Sequence, residues 1–150
     1  MTTAKQNASR AAEILRNTKI PQGRNILAKI KNSDEKVEEV NIEHACCMGI
    51  LCVYFANELK HNIDSAGSIE FEDEFHHSGK KLMKLVGLND GGLANLKYYD
   101  EIIKYIMDNF NVEVEYPHLE NLNDRYDLTF DQIADVWEKF PEAYFADTDT

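Results

Sequence analysis

Twelve consecutive residues, Ala45 to Ala56, carry no charge, and this run limits the fold more than any other part of the chain. Cys46, Cys47, Met48, Ile50, Leu51, Val53, Tyr54 and Phe55 leave no polar face, so a helix built from them is buried on all sides. We expect a central core helix here, ending at a polar turn near Lys60. A fully buried strand is the competing reading of its first half, because periodicity does not separate the two. The run is too short to span a bilayer and lies too far inside the chain for a signal peptide.

The flanking sequence supplies elements that could cover such a helix. Ala8, Ala11, Ala12 and Leu15 predict an amphipathic first helix. Pro21 and Gly23 interrupt the chain before Ile26, Leu27 and Ile30, which suit a further helical turn or two. Residues 32–39 read as a loop, and Val37, Val40 and Ile42 as a short strand. Phe71, Phe75, Gly79, Leu82, Leu85 and Val86 form one stripe, predicting a helix capped by Gly87 with Leu88 as its apolar contact. Tyr99, Ile102, Ile103, Ile106, Met107 and Phe110 predict another. Val112, Val114 and Tyr116 alternate with Glu113 and Glu115, as in a half-exposed strand. Pro117 begins a short turn through Leu119 and Leu122. Thr129 and Gln132 form a capping box for a last helix with Phe130, Ile133, Ala134 and Trp137 on its apolar face, closed by Pro141. The expected fold is mainly α: a single compact helical domain, residues 1–150, around the buried 45–59 segment. A small β ribbon comes from residues 37–42 and 112–116, and the ends, 1–6 and 146–150, are expected to be loose.

Charge is distributed unevenly. Residues 1–31 hold seven basic groups and one acid, Glu13, whereas the rest hold nine basic groups and 26 acids. Two packed halves that partly cancel explain this, and an anion-binding face near Arg24 is the sharper alternative. The net charge of -11 argues against direct nucleic-acid binding and against anionic membranes. Three cysteines, an odd number, argue against a disulfide framework and suit a reducing cytoplasm.

Two stretches resemble each other. Leu88-Asn89-Asp90 precedes Tyr99-Asp100-Glu101-Ile102, and Leu122-Asn123-Asp124 precedes Phe130-Asp131-Gln132-Ile133. Turn chemistry and acids at helix starts account for this without function. The alternative is that Asn89, Asp90, Asn123 and Asp124 converge on one polar site.

No catalytic or metal motif stands out. Cys46 and Cys47 are adjacent and would diverge on a helix, and Cys52 is one and a half turns away, so the spacing is wrong for zinc. A Cys–His nucleophile would need an exposed thiolate, which an all-apolar stretch does not offer. His76 and His77 fit a solvated helix start beside acidic residues. We expect no cofactor and no metal, and catalysis is the least favoured reading.

Cys46-Cys47-Met48-Gly49-Ile50-Leu51-Cys52 resembles the Cys-Cys-Leu-Gly-Val-Leu-Cys core of a widespread group of small bacteriophage proteins, most of them uncharacterised. Their Gln-Gly-basic element is resembled by Gln22-Gly23-Arg24, and their Gly-Leu before Leu-Asn-Asp by Gly87 to Asp90. Their C-terminal Leu-Asn-Asp and aromatic-x-x-Ile-Ala-Asp helix is resembled by Leu122 to Asp124 and Phe130 to Asp135. Met48 and Ile50 depart from the pattern, and residues 91–118 look like an insertion. The resemblance implies phage origin and the cytoplasm of the infected bacterial host, and it transfers no activity. It singles out Gln22, Gly23, Arg24, Asn89, Asp90, Asn123 and Asp124 as candidate ligand-binding positions. The expected role is a non-enzymatic accessory protein that binds a host protein. Capture of a small molecule such as a nucleotide-type immune signal comes second, and a small hydrolase or transferase third.

Overall fold

Thr3 and Thr129 each start a helix by the same device: the threonine side chain accepts the N–H three residues on, and Gln6 or Gln132 returns the bond. The computed structural model describes residues 1–72, 79–89 and 92–149. Along the chain lie α1 (Ala4–Asn17), β1 (Ala28–Ile30), β2 (Ile42–Ala45), α2 (Cys47–Tyr54), β3 (His61–Ile63) and β4 (Ser68–Phe71). After them come α3 (Gly79–Val86), α4 (Tyr99–Phe110), α5 (Phe130–Lys139) and α6 (Pro141–Tyr144). Helices and a small antiparallel sheet thus make up the fold, with strand order β2-β1-β4-β3. Among the described residues no helix is long and apolar enough to cross a membrane.

The buried helix is where the apolar run predicts it, but shorter. Every residue of α2 except Tyr54 is buried. Beyond Tyr54 the chain tightens into successive three-residue turns, Ala56 N–H to the Val53 carbonyl and Glu58 N–H to the Phe55 carbonyl. These keep Phe55, Ala56 and Leu59 on the core side while Asn57 and Glu58 face water. A continued helix would have rotated some of the apolar group outward. α1 lays Ala8, Ala11, Ala12 and Leu15 against α5, α6 and α2. Alanines at helical spacing leave little between the backbones, so the helices approach closely.

Four expectations need correction. Leu27 to Ile30 is not helical: Ala28 and Ile30 alternate with Lys29 in β1, pairing with β2 on one side and β4 on the other. The helix expected from Phe71 begins only at Gly79. Phe71 ends β4, where Ile69 and Phe71 are buried on one face, a period of two rather than 3.6. Phe75, His76 and His77 lie outside the described residues. The segment 112–116 forms no strand: it bends at Glu115 and Tyr116, and Glu115 N–H goes to the Tyr126 hydroxyl. The ribbon predicted from 37–42 and 112–116 is therefore not formed, and of the expected strand Val37, Val40 and Ile42 only Ile42 enters one, since Val40 lies in the turn Glu39–Asn41. Finally, Pro141 does not merely end α5; it stands in the first turn of α6.

The ends are also not loose as far as they are described. Thr2 pairs with Thr148 in an antiparallel bridge, and the Ala4 N–H donates to Asp147 Oδ1 at 2.8 Å. Buried Asn7 donates to the Ala146 carbonyl and the Thr148 hydroxyl. A buried amide must find partners, and here the tail provides them. Gly87, at φ +76, ends α3 as predicted, its N–H bonded to the Met83 carbonyl.

Gly49 shows how closely α2 is seated. A Cβ there would collide with the Leu27 carbonyl oxygen, which itself accepts the Cys46 N–H. Gly49→Ala is expected to cost about 2 kcal/mol or more through overpacking against a backbone atom that cannot rotate away. Urea unfolding reads this as a lower midpoint, and an unchanged midpoint would show that the entry to β1 yields freely.

Candidate functional site

Asn123 joins most of the polar residues singled out in the sequence. It lies buried in a wide π-type turn, Asn121–Arg125, closed by the Tyr126 N–H to the Asn121 carbonyl. Its Oδ1 accepts from Gln22 Nε2 at 2.9 Å and from the Cys47 N–H at 3.2 Å. Its Nδ2 donates to the Gly23 carbonyl at 2.8 Å and to Asp124 Oδ1 at 2.7 Å. The Pro21–Gly23 strap is itself held on the end of β2: Gly23 N–H to the Ala45 carbonyl, Ala45 N–H to the Pro21 carbonyl. Gly23 faces the His44 ring with no room for a Cβ. Arg24 follows directly, its guanidinium 2.6 Å from Asp127.

Gln22, Gly23, Asn123 and Asp124 are therefore brought together, with Arg24 at their edge. Asn89 is not part of this cluster. Its side chain donates to the carbonyls of Leu93 and Ala143, and its N–H to the Tyr144 carbonyl, so it ties the C-terminal end of α6. Asp90 lies outside the described residues. Asn89 and Asn123 share no hydrogen-bond partner among the described residues, so the two asparagines do not meet in one polar site. Gly92 lies against the chain just before the Asn123 turn, where a Cβ on it would meet Met48 Sδ and Leu119.

The chemistry of the Asn123 junction is that of a tie. An asparagine amide offers two donors and an acceptor oxygen with two lone pairs, and all four capacities are used. Gln22 spends its second N–H on the Leu128 carbonyl. The hollow bordered by Asn25, Cys46, Met48, Leu119, Asn123 and Asp124 has a volume of about 10 Å³. That is space for one water at most, not for an organic ligand.

The cysteines bordering the junction are poor nucleophiles. Cys46 caps α2, its Sγ accepting the Gly49 N–H at 3.4 Å. Burial pushes its thiol up to about 12, against the lowering effect of that hydrogen bond, with the Asp124 charge adding to the rise. Burial likewise raises Cys47 and Cys52. All three remain protonated thiols at neutral pH, and among the described residues no group of three His, Cys, Asp or Glu could hold a metal ion.

A second concavity has the size of a binding site. A groove of about 530 Å³ runs between α1, α2 and the turn Glu39–Asn41. Its floor is aliphatic, from Ile14, Ile20, Ile50 and Val53, and its polar rim includes Arg10, Glu13, Asn17, Thr18, Glu39 and Tyr54. Tyr54, 60% exposed, is the residue of α2 that reaches water. Residues of this rim were not among the sequence candidates. The signal was present in weak form: Tyr54 is the side chain in the apolar run with a polar tip, and Arg10 interrupts an alanine-rich segment. Only the docking of α1 on α2 makes them neighbours.

His118 is the half-buried titratable group with specific partners. Its Nδ1 accepts the Ala94 N–H at 2.9 Å, which leaves the proton on Nε2, 2.9 Å from the Tyr99 hydroxyl. Desolvation lowers its pKa below 6.5, partly opposed by Glu120. Comparison with protein-family models, with curated proteins and with solved structures gives no match.

Two predictions follow from this geometry. Asn123→Ala is expected to destabilise by about 3 kcal/mol, because it strands the buried Cys47 N–H and the Gly23 carbonyl. Arg24→Ala, removing an exposed pair, is expected to cost under about 1 kcal/mol. Chemical denaturation measures both, and the reverse ranking would mean that the exposed pair holds the junction. For His118, the folded-state pKa is lowered, so the unfolded chain takes up the proton first as pH falls. Its contribution to stability is complete above pH 6.5 and is lost as pH falls below that value. Histidine NMR titration with unfolding at pH 7.5 and 5.5 checks this, and His118→Gln should flatten the pH difference.

Proposed function

We propose that this protein is a bacteriophage accessory protein that acts in the cytoplasm of the infected bacterium by binding a host protein, without catalysis. The observation that carries the reading is the groove between α1 and α2, because it joins an aliphatic floor to a polar rim with an exposed tyrosine. Interfaces commonly place a few well-packed anchors, tyrosine and arginine prominent among them, inside a polar ring. The protonated, buried thiols offer no activated nucleophile beside it. The acidic body supports selectivity for a protein over nucleic acid. Phage origin and the host compartment rest on the motif resemblance alone.

The test is affinity capture from the host lysate with three tagged proteins: wild type, Tyr54→Glu and Arg24→Ala. We expect one host polypeptide with wild type and with Arg24→Ala, reduced about tenfold or more with Tyr54→Glu, as for loss of an interface anchor. Retention by Tyr54→Glu together with loss by Arg24→Ala would move the interface to the Asn123 face. A small molecule found by native mass spectrometry, with no polypeptide, would replace protein binding by ligand capture.

A further inference from the structure

Arg10 is the arginine of the basic N-terminal segment that the fold leaves without a carboxylate among the described residues. Arg16 is held by Asp135 and Glu138, and Arg24 by Asp127. Arg10 instead lies over the Phe55 ring, its guanidinium carbon 5.0 Å from the ring centroid, at the rim of the α1–α2 groove. Glu13, one helical turn further on the same helix, does not capture it. The ring holds the guanidinium at the groove rim, and its N–H groups have no hydrogen-bond acceptor among the described residues.

We infer that the groove takes a polypeptide segment whose carboxylate side chain meets Arg10 and whose neighbouring aliphatic side chain sits on half-buried Ile14, above the buried Ile50 and Val53. The inference rests on the reading of this groove as a protein-binding site and names the chemistry of the partner. The floor is aliphatic, so an aliphatic side chain matches it by burial alone. An open guanidinium fork matches a carboxylate by two parallel charge-assisted hydrogen bonds. A phosphate offers the same geometry, but Glu13 and Glu39 belong to the same lining. Two carboxylates oppose a doubly charged group more than a singly charged one, which favours carboxylate over phosphate. At the rim, Asn17, Thr18 and the Tyr54 hydroxyl supply neutral donors and acceptors for a peptide backbone.

The experiment titrates the isotopically labelled full-length protein with acetyl-Asp-Leu-Leu-amide, acetyl-Asn-Leu-Leu-amide and acetyl-phosphoserine-Leu-Leu-amide, following backbone amide shifts. The Asp peptide is expected to shift amides in 10–18 and 50–54 and to bind about fivefold tighter than the Asn peptide. Arg10→Ala should abolish that preference, and Arg10→Lys should keep part of it, with amides remote from the groove unchanged in both. Equal binding of the Asp and Asn peptides in the groove would overturn the role of Arg10 and leave the groove as a binding site. Tighter binding of the phosphoserine peptide would overturn the choice of carboxylate. If no peptide shifts 10–18 or 50–54, the groove itself fails as a protein-binding site.

Discussion

An eight-residue helix that is apolar nearly all round must have its first N–H groups satisfied inside the protein, because water does not reach them. In α2 this is done by Cys46 Sγ on the Gly49 N–H and by Asn123 Oδ1 on the Cys47 N–H. The second bond reaches across 76 residues, and the same amide holds Gln22 and the Gly23 carbonyl. One asparagine thus fixes the helix start, the Pro21–Gly23 strap and the turn before α5. Unpaired backbone groups at a buried helix end are costly, so each of these segments is placed by the helix it serves.

That arrangement also explains why the polar motif residues form a structural junction. They converge on Asn123, whose amide is fully used, leaving a hollow of about one water. The larger described concavity lies instead where α1 meets α2, a groove of about 530 Å³ lined by side chains of both helices. The charge asymmetry of the chain finds its explanation in the same region. Arg16 and Arg24 from the basic segment meet acids from the C-terminal third, so the halves cancel locally. Of the three arginines in that segment, Arg10 has no carboxylate partner among the described residues and rests on an aromatic ring beside the groove.

Much of the helical content was legible from local signals. The capping box at Thr129 and the left-handed Gly87 act within a few residues, and the apolar face of α4 repeats over three turns, whereas the Thr3 box lay in an end read as loose. The sheet was not legible in the same way. β1, β3 and β4 are three or four residues long, too short for alternation to outweigh a helical spacing such as that of Phe71 and Phe75. β1 is a strand because β2 and β4 flank it, a fact contained in no single window of sequence. The alternation at 112–116 misled for the opposite reason: the pattern is present, but among the described residues no strand pairs with it to complete a ladder.

Sequence alone determined that the 45–56 run would be buried, because no polar face exists to turn towards water, and its helical form from Cys47 to Tyr54 was settled against a competing strand only by the fold. Sequence also determined where several helices begin and end, since caps and left-handed glycines act through neighbouring atoms. Tertiary structure alone decided which polar residues meet. Asn123 joins Gln22, Gly23 and Cys47 while Asn89, in a like motif, ties Leu93 and Ala143. The physical reason is that a hydrogen bond depends on positions in space to within a few tenths of an ångström. Local sequence cannot specify that for residues about a hundred positions apart, and neither can it specify a groove made by the crossing of two helices.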